Sequence, residues 1–148
     1  MNRQKFVVRD YVRWGDVDPE GIIRYDAYTR FMEMAEGDFF RAVGLHYNEI
    51  FERYHIGIPR RVMHVEFLSS PVLDEELEVH VYVSHVGTTS LKMNFDFYGA
   101  GGVVRAMGHL VIVCVDLRNG RRKRPWPSEL LELISPYRVA ATSSHVAS

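Results

Sequence analysis

Residues 15–44, GDVDPEGIIRYDAYTRFMEMAEGDFFRAVG, join a polar turn to the longest helical pattern in the chain. Apolar residues recur in its second half at spacings of three and four, which is the period of one helix face. They are Tyr28, Phe31, Met32, Ala35, Phe39, Ala42 and Val43. We predict a helix over residues 28–43, ended by Gly44. Asp26 lies near its start, where a carboxylate suits the free N–H groups.

On both sides of this helix the apolar residues alternate, as they do in strands with one buried face. Residues 5–14 predict a first strand, and four more follow at 63–67, 77–84, 91–98 and 103–116. Shorter helices are predicted over 47–54 and 127–134. One long helix followed by successive strands indicates an α+β fold with the helix on an antiparallel sheet. We predict one domain over residues 1–138 and a disordered tail over 139–148.

The composition excludes several classes of protein. The 148 residues carry 18 Lys and Arg against 19 Asp and Glu, so a broad basic surface for nucleic acid is not expected. No apolar stretch reaches the roughly 20 residues that span a bilayer, and the N-terminal residues lack the apolar region of a signal peptide. The single cysteine, Cys114, cannot build a disulfide framework. These features predict a cytoplasmic protein without membrane insertion.

The turn before the helix carries the most informative side chain, Asp18. The N–H groups of a helix start, together with the helix dipole, can hold a developing oxyanion. A carboxylate close to them can attack a carbonyl carbon or activate a water molecule. The same residues are also typical of an Asp-Pro turn whose carboxylates only cap the loop. The pattern alone leaves both interpretations open.

The motif GDxDPxGI at residues 15–22, followed by Tyr25 and the helix, resembles the signature of 4-hydroxybenzoyl-CoA thioesterases. Residues 65–67, 73–79, 87–91 and 113–116 resemble the acyl-CoA thioesterases associated with the Tol-Pal system. The resemblance therefore extends from about Val8 to about Ile134. It implies the hot-dog fold, in which an antiparallel sheet of about five strands wraps around one long helix.

The resemblance also implies an activity and a site. Asp18 matches the catalytic carboxylate, and the backbone N–H of Tyr25 matches the group that binds the oxyanion. Trp14 and Gly21 fall at substrate-binding positions. The expected reaction is hydrolysis of an aryl or short to medium acyl-CoA, with coenzyme A as part of the substrate and no other cofactor. The family forms homodimers with sites across the interface, and the dimers associate into homotetramers.

The chain also departs from these relatives. The Tol-Pal branch has histidine at Tyr25 and tyrosine at Trp14, and both differences favour chemistry like that of the 4-hydroxybenzoyl branch. That branch has basic residues near Thr88 and Thr89, which with Ser90 are further candidates for substrate binding. The basic turn at residues 118–125, RNGRRKRP, offers a replacement. Its Arg121, Arg122 and Arg124 either bind the phosphates of CoA or belong to a solvated charged loop.

Other functions have less support. A dehydratase of this fold needs a histidine beside the carboxylate, and none lies between residues 14 and 44. The histidines lack paired metal-ligand spacing, so no metal site is expected. We predict a turn-forming role for Asp16 and a solvated helix face for Glu33 and Glu36. A non-catalytic module that binds acyl-CoA or an acyl carrier protein remains an alternative, as does a structural partner in an envelope complex.

Overall fold

The computed structural model of the protein describes residues 3–143. In chain order, its main helices and strands are β1 (Phe6–Tyr11), α1 (Ala27–Ala42), α2 (Tyr47–Tyr54), β2 (Ile56–Gly57), β3 (Arg60–Phe67), β4 (Glu76–Val86), β5 (Ser90–Tyr98), β6 (Val104–Val113), β7 (Val115–Asp116) and α3 (Ser128–Ile134). A short 3₁₀ turn, Trp14–Asp16, lies between β1 and α1. No helix in this part of the chain has the length and apolar character needed to cross a bilayer.

Five strands form one antiparallel sheet in the order β1-β4-β5-β6-β3. The sheet packs around α1, whose residues Phe31, Ala35 and Phe39 have no solvent exposure. Val81 of β4 and Phe95 of β5 are buried in the same core. Alternate residues of each strand point to this side, which explains the period of two in the sequence. The predicted fold class, about five antiparallel strands around one long helix, is confirmed.

The predicted helices agree closely with the structure, whereas the last long strand does not. The helix α2 has the predicted bounds, and α1 is followed by Gly44 at a φ of +86°. The strand predicted over 103–116 is interrupted at Cys114, whose N–H donates to the Thr89 carbonyl (2.8 Å). The chain then continues as β7, which pairs with β2 in a separate small sheet. Apolar residues on both faces indicated an interior strand but not this change of sheet.

The tail for which we predicted disorder begins with residues that contact the sheet. The Val139 N–H donates to the Val83 carbonyl (3.0 Å). The Thr142 hydroxyl donates to the buried carboxylate of Asp96 (2.7 Å). Val139 and Thr142 therefore contact β4 and β5, while disorder of the tail remains a prediction from the sequence. Residues 144–148 lie outside the described part of the chain.

The edge strand β3 connects two distant parts of the molecule. Its first residue follows Pro59, whose carbonyl accepts from the Val113 N–H (2.9 Å) at the end that leads to β7. Its last residue leads to a connection in which the Pro71 carbonyl accepts from the Ile23 N–H (3.1 Å) of the turn before α1. Eight residues of strand span about 26 Å. The turn before α1 and the β7 region therefore lie at opposite ends of the sheet.

Candidate active site

The turn before α1 is closed around Asp18 by its own backbone hydrogen bonds. The Asp18 N–H donates to the Ile22 carbonyl (2.9 Å), and the Gly21 N–H donates to the Asp18 carbonyl (2.9 Å). Gly21 has a φ of +82°, which glycine adopts without steric cost. The turn is therefore a compact structure that holds the half-buried Asp18 side chain at a defined place.

The two oxygens of the Asp18 carboxylate have different surroundings. Oδ1 accepts from the Glu20 N–H (2.8 Å) and, at longer range, from the Ile22 N–H (3.4 Å). Among residues 3–143, no hydrogen-bond donor is assigned to Oδ2. One oxygen thus fixes the side chain within the turn, while the other is available to an incoming molecule.

A cavity of about 310 Å³ adjoins this carboxylate. Its lining residues are Trp14, Val17, Asp18, Pro19, Gly21 and Leu73. Three of the predicted site residues, Trp14, Asp18 and Gly21, are therefore brought together. The Trp14 side chain is 81% exposed. Tyr28 and Phe31, on the apolar face of α1, are buried in the core.

The start of α1 supplies backbone N–H groups near the end of the turn. Asp26 occupies the position before the helix, but its side chain does not cap it, and the carboxylate lies 3.5 Å from the Arg24 guanidinium instead. Asp26 therefore lies at the predicted start of the helix, but its side chain forms no hydrogen bond with the first helical N–H groups. Within the described residues, the Tyr25 N–H donates to no acceptor. Tyr25 is not one of the residues that line the Asp18 cavity, and its side chain is 77% exposed.

Asp16 does not line the cavity, although only one residue separates it from Asp18. It is buried, and its carboxylate pairs with the guanidinium of Arg30 on α1. Burial works against ionisation, yet the hydrogen bonds from Arg30 and the Arg13 N–H hold the pKa of Asp16 below its usual value. The sequence predicted a turn role for Asp16 but gave no sign of Arg30. Across residues 3–143, no group of three His, Cys, Asp or Glu side chains could hold a metal ion.

The remaining predicted binding residues lie at the other end of the sheet. Thr88 and Thr89 form the turn between β4 and β5, and Ser90 begins β5. The Thr88 carbonyl accepts from the Trp126 N–H (3.2 Å), which connects this turn to the chain just after the basic turn. The Asp18 cavity adjoins the start of β4 instead, since the Leu73 N–H donates to the Gly21 carbonyl (3.1 Å). One protomer does not bring the two groups together.

Some arginines of the basic turn hold it in place, whereas others have no ion-pair partner among the described residues. Arg124 donates to the Tyr54 carbonyl (3.1 Å) and lies 3.9 Å from Asp116, so it helps to hold the turn. Arg118 donates to His55 Nε2 (2.6 Å). Arg121 and Arg122 form no ion pair with a described residue. Arg122 and Lys123 line an open cavity of about 670 Å³ and are the cations best placed to bind an anion, whereas Arg121 does not line it.

A second cleft, of about 380 Å³, lies between α1 and the edge strand β3. Glu36 lies there with 2% exposure, although we predicted a solvated position. It pairs with the Arg60 guanidinium and accepts from the Tyr47 hydroxyl (2.7 Å). Burial raises the pKa of Tyr47 to about 12 and lowers the pKa of Arg60. Glu36 is four residues from the core residue Met32, so the two lie on the same helix face. This spacing was the sequence signal that Glu36 is buried.

Comparisons with known proteins agree with this architecture. A family model described as the thioesterase-like superfamily matches residues 12–134. A hypothetical protein from Staphylococcus aureus in complex with CoA has a TM-score of 0.86 at 17% identity, over 98% of this chain and 92% of its own. A thioesterase superfamily protein from Jannaschia has a TM-score of 0.82 at 23% identity, over 95% of this chain and 99% of its own.

A third structure is a 1,4-dihydroxy-2-naphthoyl-CoA thioesterase from Synechocystis. It has a TM-score of 0.81 at 17% identity and is matched over 88% of this chain and 96% of its own. At such identities the structural likeness shows a shared fold. No curated protein matches the sequence.

The buried ion pair predicts a contrast between two glutamates on the same helix. Glu36→Ala should lower the free energy of unfolding by about 2 kcal/mol, because it leaves the partly buried Arg60 and Tyr47 without their acceptor. Glu33→Ala, at an exposed position one turn earlier, should change it by less than about 0.5 kcal/mol. Urea unfolding of the two variants measures both values. Equal effects would show that the pair is not coupled to the fold.

Proposed function

The chain belongs to the thioesterase-like superfamily and is a thioester hydrolase, and on that premise we propose that it hydrolyses an acyl-CoA with Asp18 as catalytic carboxylate. The observation that carries this proposal is the arrangement around Asp18. A carboxylate with one free oxygen lines a cavity beside an aromatic side chain, in the turn that leads directly into α1. At that helix start the Tyr25 N–H has no acceptor among residues 3–143.

In the proposed reaction, the thioester carbonyl oxygen accepts a hydrogen bond from the Tyr25 N–H. The helix dipole and this N–H stabilise the negative charge that develops on that oxygen. Asp18 then acts by one of two routes. As a nucleophile it adds to the carbonyl carbon and expels the CoA thiolate, and water hydrolyses the resulting anhydride. As a base it takes a proton from water, whose oxygen adds to the carbon before the thiolate leaves. Both routes yield a carboxylic acid and CoA.

The basic turn supports CoA as the carrier of the acyl group. The unpaired guanidinium groups of Arg121 and Arg122 suit phosphate oxygens, and a structural neighbour was solved with CoA bound. Arg124 is engaged by Tyr54 and Asp116, so we assign it to holding the turn. The residues Thr88, Thr89 and Ser90 connect to the same end of the sheet and remain candidates for contacts with CoA.

The distance between the two ends of the sheet supports a site shared by two chains. Among residues 3–143, the strand β3 pairs only with β6, and its other edge is open along mostly exposed residues. Two β3 strands paired antiparallel across a two-fold axis would place the Arg60 end of one beside the Phe67 end of the other. The basic turn of one chain would then approach the Asp18 turn of its partner. We therefore propose a homodimer; association into a tetramer and a cytoplasmic location remain predictions from the sequence.

The exposed Trp14 ring favours an aryl or short acyl group, because a flat apolar surface at the cavity can stack against such a group. The acyl-carrying end of the substrate would lie between this ring and the start of α1. This assignment of the acyl group rests on Trp14 alone.

The first prediction concerns Asp18 itself. Asp18→Asn should lower kcat for acyl-CoA hydrolysis by roughly 10^4, since it removes the only proposed nucleophile or base. Release of the CoA thiol, followed for aryl and short-chain acyl-CoAs, measures the loss. Glu20→Gln is the matched control, because it lies in the same turn but not in the cavity, and it should keep wild-type rates.

Two results would contradict this role. Asp18→Asn with unchanged kcat would remove Asp18 from the mechanism. Wild-type protein that binds acyl-CoA in calorimetry without hydrolysing it would favour the alternative of a non-catalytic acyl-CoA or acyl-carrier-protein binding module.

The second prediction tests whether two chains share one site. Arg121→Gln/Arg122→Gln should raise KM at least about tenfold by removing contacts to phosphate. At low substrate concentration, the Asp18→Asn dimer and this dimer are then both nearly inactive. A heterodimer of the two variants, isolated with two different affinity tags, should regain about half of the wild-type rate, because one of its two sites is intact. If each site belongs to one chain, the heterodimer stays inactive.

A further inference from the structure

Arg30 connects three elements of the fold. It belongs to the first turn of α1, and its Nε donates to Asp16 Oδ1 (2.8 Å) while Nη2 pairs with Asp16 Oδ2. Its Nη1 donates to Asp10 Oδ2 (2.9 Å) on β1. The guanidinium therefore joins the helix, the turn before it and the neighbouring strand. A planar fork with donors on three nitrogens makes such a junction, which the single ammonium of lysine cannot reproduce.

The Asp16 carboxylate is buried and fully occupied. Besides Arg30, it accepts from the Arg13 N–H (2.8 Å), and its side chain is only 6% exposed. An ion pair at such a site gains little net stability, because desolvation of the charges offsets their attraction. What it does provide is a fixed geometry, since a buried carboxylate without its partner is strongly disfavoured. The pair therefore restricts where the turn can lie relative to the helix.

A short rigid path leads from Asp16 to Asp18. The Arg24 N–H donates to the Asp16 carbonyl (2.8 Å), and Val17 forms a β-bridge with Ile23. The next pair of facing residues in this small hairpin is Asp18 and Ile22, joined by the hydrogen bond from the Asp18 N–H to the Ile22 carbonyl. Because hydrogen bonds join the facing residues along this hairpin, a displacement of Asp16 should also displace the Asp18 carboxylate.

We infer that Arg30 is a positioning residue, which holds the Asp18 carboxylate in register with the free N–H groups at the start of α1. The inference rests on the proposed function and adds a group that acts through Asp16 without touching substrate. The thioester carbonyl has to meet the carboxylate and the Tyr25 N–H at the same time. A misplacement of about 1 Å between such groups costs about 10²-fold in rate. Substrate binding at the basic turn does not depend on this register.

The test uses Arg30→Lys, which keeps the positive charge but loses the fork. We expect kcat to fall roughly 30- to 100-fold and KM to stay within about threefold. The control is Arg13→Lys, whose side chain pairs with the same Asp10 carboxylate but is 62% exposed and does not contact Asp16 through its guanidinium. It should keep the wild-type kcat. The double variant Arg30→Lys/Asp16→Asn should be no less active than the less active of its two single variants, because both changes break the same ion pair.

Amide hydrogen exchange supplies a readout that does not need turnover. In Arg30→Lys, peptides covering residues 14–24 should exchange at least about tenfold faster, while peptides from the core of β4 stay unchanged. In Arg13→Lys neither region should change. Unchanged exchange in Arg30→Lys overturns the inference, and so does faster exchange with an unchanged kcat. A wild-type protein without thioesterase activity would instead overturn the proposed function, and hydrogen exchange would still decide whether Arg30 holds the turn.

Discussion

Burial of the apolar face of α1 is the constraint on which the rest of the structure depends. Phe31, Ala35 and Phe39 are completely shielded from water, and each Å² of such surface contributes about 25 cal/mol to folding. Five strands can cover this face only by packing around the helix. The first turn of α1 then emerges at one end of the sheet, beside the turn that carries Asp18. The place of the candidate site therefore follows from the packing of the core.

Local patterns predicted the parts of the site that lie close together in the chain. Trp14, Asp18 and Gly21 belong to one turn. Its residue types indicate the turn, whereas the roles expected of the three residues came from the resemblance to the thioesterases. The helix and most strands could be predicted for the same reason, since their periodicity is local. Glu36 was assigned to the wrong environment because its partner Arg60 comes from another element. Arg30 was missed because Asp16 is 14 residues away along the chain.

The near-neutral charge of the chain conceals a division between two regions. One end of the sheet carries the Asp18 turn and its cavity, and the other carries the unpaired cations Arg121 and Arg122. A single chain separates these regions by roughly the length of β3. A two-fold axis at the open edge of β3 would bring the Asp18 turn of each chain close to the basic turn of the other. One symmetric contact would then complete two sites. Within this arrangement the fold would supply the carboxylate, the helix N–H groups and the phosphate contacts from rigid elements.

The central claim is that a thioester carbonyl lies between Asp18 and the start of α1. The most direct test is a crystal structure of the Asp18→Asn variant with a non-hydrolysable acyl-CoA analogue that keeps the carbonyl group. We predict the carbonyl oxygen about 3 Å from the Tyr25 nitrogen, with the carbonyl carbon facing residue 18. An analogue bound in every protomer with its carbonyl away from the start of α1 would rule out this placement.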